Sequence, residues 1–240
     1  MGRIVVLDEC GSTNAEAADR TAYGHGDAVI AVRQTAGRGQ RGHKWDSVPG
    51  ENLTFSVVLE PRFLPVARQF LLSEAVALAL KDTLEEYGIE ARIKWTNDIY
   101  VRGGKICGIL LENDLYGTKL TRSVVGIGLN VNQTEFAEWV PNPASMSLET
   151  GRKYDVDEVF GRLYGRLMAR YAQLENGDDG ALQEEYNTSL FGLGVPRRFE
   201  IPGEGVVIGI IRGVRDDSTL LVEIDGRERG FLFGEIGFVI

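Results

Sequence analysis

Hydrophobic and polar positions along the chain follow two periods, and the switch between them marks the elements. A short β-rich run over residues 4–7 leads to Ser12-Thr13-Asn14, a cluster able to cap a helix predicted over 15–20. Residues 28–32 and 53–59 read as the next strands. Between them lies a polar, glycine-rich stretch from Arg33 to Asn52, too long for a hairpin connection and of the length that functional loops reach. After Pro65 the period changes: Phe70, Leu71, Ala75, Leu78, Ala79 and Leu84 recur at helical spacing, and Gly88 closes the run. Short strands follow over 89–95, 99–101, 106–111 and 120–131, with Asp114-Leu115-Tyr116-Gly117 as a turn. Asp155 opens a second long helix with Glu158 at the reciprocal position of a capping box. Val159, Phe160, Leu163, Tyr164 and Leu167 form its apolar stripe, and a short helix over 181–187 comes next.

From about Val195 the pattern changes again. Pieces over 199–201, 205–214, 219–224 and 230–233 are β-rich and separated by turns such as Pro202-Gly203 and Asp225-Gly226, which predicts a small antiparallel barrel. The whole pattern predicts an α+β fold in which a mixed, largely antiparallel sheet carries helices on one face. Two units are expected, a main domain over 1–193 and the barrel over 194–240.

Composition narrows the function. Thirty-five acidic against 26 basic residues give a net charge of -9, which argues against broad affinity for nucleic acid or an anionic membrane. No apolar run approaches the roughly 18 residues of a membrane span, and the first residues turn polar before a signal-peptide core forms. The two cysteines, Cys10 and Cys107, suit reduced thiols in the cytoplasm, and two histidines, His25 and His43, leave little material for a histidine-rich metal site.

Four clusters carry candidate chemistry. In Gly37-Arg38-Gly39-Gln40-Arg41-Gly42-His43-Lys44-Trp45, closely spaced glycines and four basic or titratable side chains read either as an anion cradle or as a flexible charged loop. Such a loop is expected to stay open until an anion arrives. In Lys94-Trp95-Thr96-Asn97-Asp98, a strand anchors a lysine whose ammonium can stabilise charge on a carboxylate and a phosphoryl group together. Trp95 reads as core packing, whereas Asn97 and Asp98 suit ligand orientation, a hard cation or, for Asp98, a plain turn. In the stretch from Lys105 to Glu112, Lys105 can reach the same pocket from the opposite strand, Gly108 implies a close approach to the backbone, and Cys107 reads as the one interior thiol near this chemistry, a core residue and not a nucleophile. Finally, Gly126, Gly128, Asn130 and Asn132 fall on one face of a strand, a natural pocket floor.

In this order the clusters closely resemble the biotin protein ligases, also called biotin–[acetyl-CoA-carboxylase] ligases. Members of that family carry Ser-Thr-Asn near the start, a Gly-Arg-Gly-Arg-Arg-Gly-like loop, Lys-Trp-Pro-Asn-Asp, Lys-x-x-Gly-Ile-Leu-x-Glu and Gly-x-Gly-x-Asn-Val. The matching segments here are Ser12 to Asn14, Gly37 to Gly42, Lys94 to Asp98, Lys105 to Glu112 and Gly126 to Val131. The resemblance implies a class II synthetase-like catalytic fold with an SH3-like C-terminal barrel. It implies a two-step reaction: biotin and MgATP give biotinyl-5'-adenylate and pyrophosphate, and the biotinyl group then passes to one lysine of a biotin carboxyl carrier protein or the carrier domain of a biotin-dependent carboxylase. It assigns Ser12, Thr13, Asn14, Gln34, Gly37, Arg38, Lys94 and Gly108 to biotin, and Arg38, Gly39, Gln40, Arg41, His43, Trp45, Asn97, Lys105 and Asn130 to ATP and the adenylate. Lys94 and Arg38 would be the catalytic pair, and Mg²⁺ would be held mainly by phosphates.

Two departures from the family pattern stand out. Gln40 occupies a position where many members have a second arginine, and Thr96 replaces the usual proline. Nothing before Ile4 suggests the DNA-binding winged helix of the bifunctional members, so an enzyme without a transcriptional role is expected. Both monomers and homodimers occur in the family, and the polar, glycine-rich edges beside 120–131 favour a homodimer. Lipoate–protein ligases, octanoyltransferases acting through a cysteine thioester, and a non-enzymatic carrier-binding module are the competing readings.

Overall fold

The computed structural model describes residues 2–239, apart from the side chain of Arg41. Seven strands form the main sheet: β1 (Ile4–Cys10), β2 (Ala28–Gln34), β3 (Leu53–Leu59), β4 (Arg92–Lys94), β5 (Asp98–Val101), β6 (Gly104–Tyr116) and β7 (Lys119–Leu129), in the spatial order β1-β2-β3-β7-β6-β5-β4. Only β1 and β2 run parallel; every other pairing in this sheet is antiparallel. Five helices accompany the strands: α1 (Thr13–Ala17), α2 (Phe70–Glu86), α3 (Met146–Thr150), α4 (Val156–Glu175) and α5 (Asp179–Thr188).

Alternation along β3 divides the molecule. Leu53, Phe55, Val57 and Leu59 pack with α2 and α4 into the main core, whereas Val58 turns the other way and packs against Ala17 of α1. The two long helices therefore share one face, as the pattern predicts, but α1 lies on the opposite one. α2 is apolar on nearly all sides because it is buried between the sheet, α4 and α5. It ends where Gly88 takes the left-handed conformation, at a φ of 75°. Asp155 caps α4 by accepting from the amides of Asp157 and Glu158, at 2.9 and 3.3 Å. The Glu158 carboxylate does not close a capping box; it pairs with Arg162 one turn on.

Several predicted boundaries shift. α1 begins at Thr13, two residues before the expected start, and Ser12 makes no side-chain cap because the Ser-Thr-Asn cluster is buried and turned toward the sheet. β6 continues through Tyr116, so the turn falls at Gly117 and Thr118. Residues 89–91 stay outside the sheet, and only Arg92–Lys94 form a strand. The second sheet comprises β8 (Pro196–Ile201), β9 (Gly205–Val214), β10 (Leu220–Ile224), β11 (Arg227–Phe231) and β12 (Gly237–Phe238) in the order β11-β10-β9-β8-β12. All its pairings are antiparallel, but no pairing joins β11 to β12 among the described residues, so the expected barrel is an open sheet.

A carboxylate in the helical layer, that of Glu74 on α2, is fully buried with neither oxygen hydrogen-bonded among the described residues. Burial pushes its pKa from the ordinary 4.5 up to about 8, with Asp216 adding and Arg68 opposing. A carboxyl whose folded pKa is raised contributes full stability below about pH 4.5, and that contribution is lost as the pH climbs through about 8. Urea denaturation at pH 5 and pH 8 should therefore show Glu74→Gln gaining on the unmutated chain at the higher pH, by on the order of a few kcal/mol at about 1.4 kcal/mol per pKa unit. An equal difference at both pH values would contradict a protonated, buried Glu74.

Candidate active site

Strand register assembles the site before any loop is considered. Lys94 on β4 pairs with Asp98 on β5, Asp98 with Gly108 on β6, Gly108 with Gly128 on β7, and Gly128 with Thr54 on β3. A second row, Leu110, Gly126 and Ser56, runs beside it. Three of the four motifs are thus laid side by side by the sheet, and the fourth, the glycine loop, is added from outside it.

The bare glycine backbones are then covered by side chains of this chain. A Cβ on Gly126 would overlap Asn14 Oδ1, and one on Gly128 would overlap the Trp45 indole; at Gly108 a Cβ would lie 3.1 Å from the same ring. Asn14 arrives on α1, whose C-terminal end is clamped by Arg122, the Nη2 of which donates to the carbonyls of Ala17 and Tyr23 at 2.7 and 3.2 Å. Trp45 arrives on the glycine loop, which folds back as a tight hairpin around the turn Gln40–Gly42: Gly39 donates to His43 O at 2.7 Å and Trp45 to Gly37 O at 3.0 Å. The loop expected to stand open is thus packed on the sheet, because Trp45 has a seat where two glycines leave out their side chains.

Two adjoining cavities result, with Trp45 in the wall of both. The first, about 210 Å³, receives Ser12, Thr13, Asn14, Gln34, Arg38, Gly39 and Gln40 from the α1 and loop side, and Trp95, Thr96, Asn97, Gly108, Gly126 and Gly128 from the sheet. The second, about 500 Å³, adds Asn130 and Tyr100 to an apolar rim of Phe136, Trp139, Val140 and Pro141. His43, Lys44, Trp45, Lys94, Asp98 and Lys105 line both. Gly37 lies behind the hairpin against Trp45 O, outside both linings. The side chain of Arg41 lies outside the described residues. Asn132 leaves the pocket floor: β7 ends at Leu129, and the Asn132 amide binds Tyr154 and Ser147 instead.

The charged groups differ in their surroundings. Lys94 Nζ lies 5.2 Å from the Tyr100 ring centre and 4.8 Å from that of Phe238, with no hydrogen-bond or ion-pair partner among the described residues. Burial lowers its pKa, which Asp98 opposes and Lys105 reinforces. Lys105 reaches the same pocket from the opposite strand, as expected, and its Nζ pairs there with Asp98 Oδ1 at 2.7 Å. Arg38 pairs with Glu112 at 3.2 Å. Two polar atoms on the cavity walls are buried without a partner, Trp45 Nε1 and Asn130 Oδ1. Asn97 is held by its side-chain amide donating to Ile109 O, and the Trp95–Thr96 peptide is cis.

Trp95 packs in the core, and its Nε1 donates to Ser218 O, in the turn between β9 and β10, at 2.9 Å. Both cysteines are buried, Cys107 within β6 and Cys10 at the end of β1, and burial raises the pKa of each. Neither lines a cavity. Sequence reasoning missed Ser56, Phe233 and the Phe136–Pro141 rim. Only the last left a trace, in apolar residues within an otherwise polar segment.

Cavities that meet at three lysines, Lys44, Lys94 and Lys105, define a site for two anionic moieties held side by side. Residues 10–130 match the family described as the Biotin/lipoate A/B protein ligase family, and the chain belongs to it. It is 33% identical to the biotin–[acetyl-CoA-carboxylase] ligase of Mycobacterium tuberculosis over 92% of this chain and 84% of that protein. It is 31% identical to the bifunctional ligase/repressor BirA of Escherichia coli over 98% of this chain and 74% of that one. In structure it superposes on the biotin protein ligase from Aquifex aeolicus in complex with biotin and ATP with a TM-score of 0.84, at 28% identity, covering 100% of this chain and 99% of that chain.

The seat of Trp45 can be tested directly. Gly128→Ala should leave the fold intact but lift the indole from the sheet, at an overpacking cost of roughly 1–3 kcal/mol. Acrylamide quenching of tryptophan emission should rise in the variant; unchanged quenching would contradict the seat.

Proposed function

We infer that the protein is an ATP-dependent biotin–protein ligase. It forms biotinyl-5'-AMP and pyrophosphate from biotin and ATP, then transfers the biotinyl group to a specific lysine of a biotin carboxyl carrier domain. The observation that carries this reading is the pair of cavities meeting at Lys94, Lys105 and Asp98, one polar on its inner wall and the other rimmed by aromatic and aliphatic side chains. The first suits biotin, whose ureido group would meet Ser12, Thr13, Asn14 and Gln34 above the floor of Gly108, Gly126 and Gly128. The second suits the nucleotide, with adenine at the Trp139 rim beside Asn130. Asn130 Oδ1 is an acceptor with no partner among the described residues that a ligand there would satisfy.

The chemistry follows from charge. A biotin carboxylate oxygen attacks the α-phosphorus, pyrophosphate leaves, and negative charge is concentrated where the carboxylate and phosphate meet. Lys94 is poised at that junction, and its partly desolvated ammonium offsets the repulsion without first having to leave an ion pair. Arg38 would turn from Glu112 to the phosphate as the loop settles on the adenylate, and Lys105, balanced by Asp98, steadies the same group. Gly39, Gln40, His43 and Asn97 shape the space around it. In the second step the carrier lysine attacks the acyl carbonyl of the mixed anhydride and AMP departs.

Mg²⁺ neutralises charge on the triphosphate when bound. No group of three or more His, Cys, Asp or Glu side chains suited to a metal exists among the described residues, and Asp98 is the carboxylate common to both cavities. This donor set fits an ion held mainly by phosphates. A thioester route needs an accessible, acidified thiol, which the raised pKa of buried Cys10 and Cys107 disfavours. We further assign 1–193 to the catalytic domain and 194–240 to a small antiparallel β-sheet unit, place the protein in the cytoplasm with a carrier protein as its macromolecular partner and no role for nucleic acid or membrane, and favour a homodimer over a monomer.

Biotin-dependent exchange of labelled pyrophosphate into ATP tests the activity, and its absence would refute the ligase reading. In the same assay Lys94→Ala should fall by at least about 10²-fold with the fold intact, the scale expected for losing a preorganised charge at a phosphoryl reaction. Exchange within a factor of a few would remove Lys94 from the chemistry. Gln40→Arg should slow the release of preformed biotinyl-adenylate several-fold by adding a guanidinium fork to the closed loop. Unchanged release in a pulse-chase would assign retention to burial beneath the loop instead.

A further inference from the structure

Glu112 ends the Lys105–Glu112 motif, and the two-step reaction gives it no part beyond releasing Arg38. Its surroundings are more specific than that. One oxygen, Oε2, accepts from Asn14 Nδ2 at 2.7 Å and from Arg38 Nη2 at 3.2 Å, so a single acceptor joins the wall of the first cavity to the glycine loop. From Asn14 the contacts continue inward: Ser56 Oγ lies 2.5 Å from Asn14 Oδ1 and 2.8 Å from Thr13 Oγ1, and the Thr13 amide donates to Gln34 Oε1 at 2.8 Å.

Proton counting gives this chain a direction. An ionised carboxylate only accepts, so Asn14 must offer Nδ2 to Glu112 and turn Oδ1 to Ser56. Ser56 has one proton and spends it on Asn14, the shorter of its two contacts. The contact between the two hydroxyls is then supplied by the Thr13 proton, at 2.8 Å a shorter contact than its alternative to Gln34 Oε1 at 3.3 Å. Thr13 Oγ1 is left with lone pairs for a ligand, and Gln34, whose Oε1 is engaged by the Thr13 amide, has Nε2 to offer. An acceptor beside a donor matches the N–H and C=O of a cyclic urea.

We propose that Glu112 is a positioning residue for the ligation reaction: through Asn14, Ser56 and Thr13 it sets the hydrogen-bond polarity of the acid-binding cavity, and through Arg38 it links the filling of that cavity to the loop. The proposal rests on the biotin–protein ligase reading. Arg38 and Glu112 are 48% and 42% exposed, so their ion pair alone has a small effect. The weight falls on the chain through Asn14, Ser56 and Thr13, all three buried, where a reversed or missing hydrogen bond cannot be replaced by water.

Glu112→Leu removes the acceptor and leaves Asn14 Nδ2 only its long contact, 3.4 Å, to Leu110 O, so the outer end of the chain is no longer held. With the full-length protein in biotin-dependent pyrophosphate exchange, the biotin KM should rise about tenfold, the scale of one buried hydrogen bond lost, while the ATP KM moves by less than about threefold. Glu112→Gln, which keeps one acceptor oxygen for Asn14 and Arg38 without the charge, should recover most of the loss, and saturating biotin should protect the loop from trypsin less well in Glu112→Leu than in the unmutated chain. A biotin KM within a factor of two of the unmutated value, or equal rises in both KM values, would overturn the proposal. If Glu112→Leu does not fold, Ser56→Ala decides: it removes the inner link, and an unchanged biotin KM there would be equally fatal. Absence of exchange in the unmutated chain would instead refute the ligase reading, and the proposal with it.

Discussion

Gly108 and Gly128 face each other across β6 and β7, in the same transverse row as Asp98 and Lys94, and neither has a side chain. That register is the constraint on which the rest of the site depends. It opens the gap that seats Trp45, and the seat of Trp45 in turn fixes the hairpin of the glycine loop and divides the two cavities. Because side chains alternate along a strand, a slip of β7 by one residue against β6 would carry Gly128 to the helical face and present Ile127 to the loop. The large core beneath, where Ile109, Ile127 and Phe55 meet the long helices, is what prevents such a slip.

The electrostatics rest on the same row. A chain with a net charge of -9 gathers Lys94, Lys105 and Arg38 around one opening, and two of the three are balanced by carboxylates, Asp98 and Glu112. Lys94 is the exception, half-buried between two aromatic rings with no ion pair among the described residues. An ammonium kept from water without a partner is costly in the folded chain. An anionic substrate offsets that cost, so the same arrangement that weakens the empty site strengthens the filled one. The second sheet takes part, since Phe238 lies under Lys94 and Ser218 holds Trp95.

The amino-acid sequence makes much of this legible, but unevenly. The long helices and the strands at 53–59 and 205–214 follow their periods closely, since apolar spacing reports burial. Loops and motifs carry the chemistry, because lysine, arginine and glycine at those spacings have few structural reasons to occur together. Register is not legible: nothing local to Gly108 or Gly128 says that they are neighbours, and nothing in Ser56 says that it lies against Asn14. Ser-Thr-Asn looks like a helix cap because its residue types suit one, and tertiary contacts claim the side chains instead. The barrel reading fails for a related reason, since β-rich pieces and turns specify antiparallel pairing without specifying closure.

The central claim is that biotin and nucleotide lie on either side of Trp45 and meet at Lys94. A crystal structure with a non-hydrolysable analogue of biotinyl-5'-adenylate tests it most directly. The account predicts the bicyclic ring over Gly126 and Gly128 beside Thr13 and Gln34, the acyl-phosphate mimic at Lys94, and adenine at the Trp139 rim near Asn130. An analogue bound with its acyl-phosphate mimic away from Lys94, or with both halves on one side of Trp45, would contradict it.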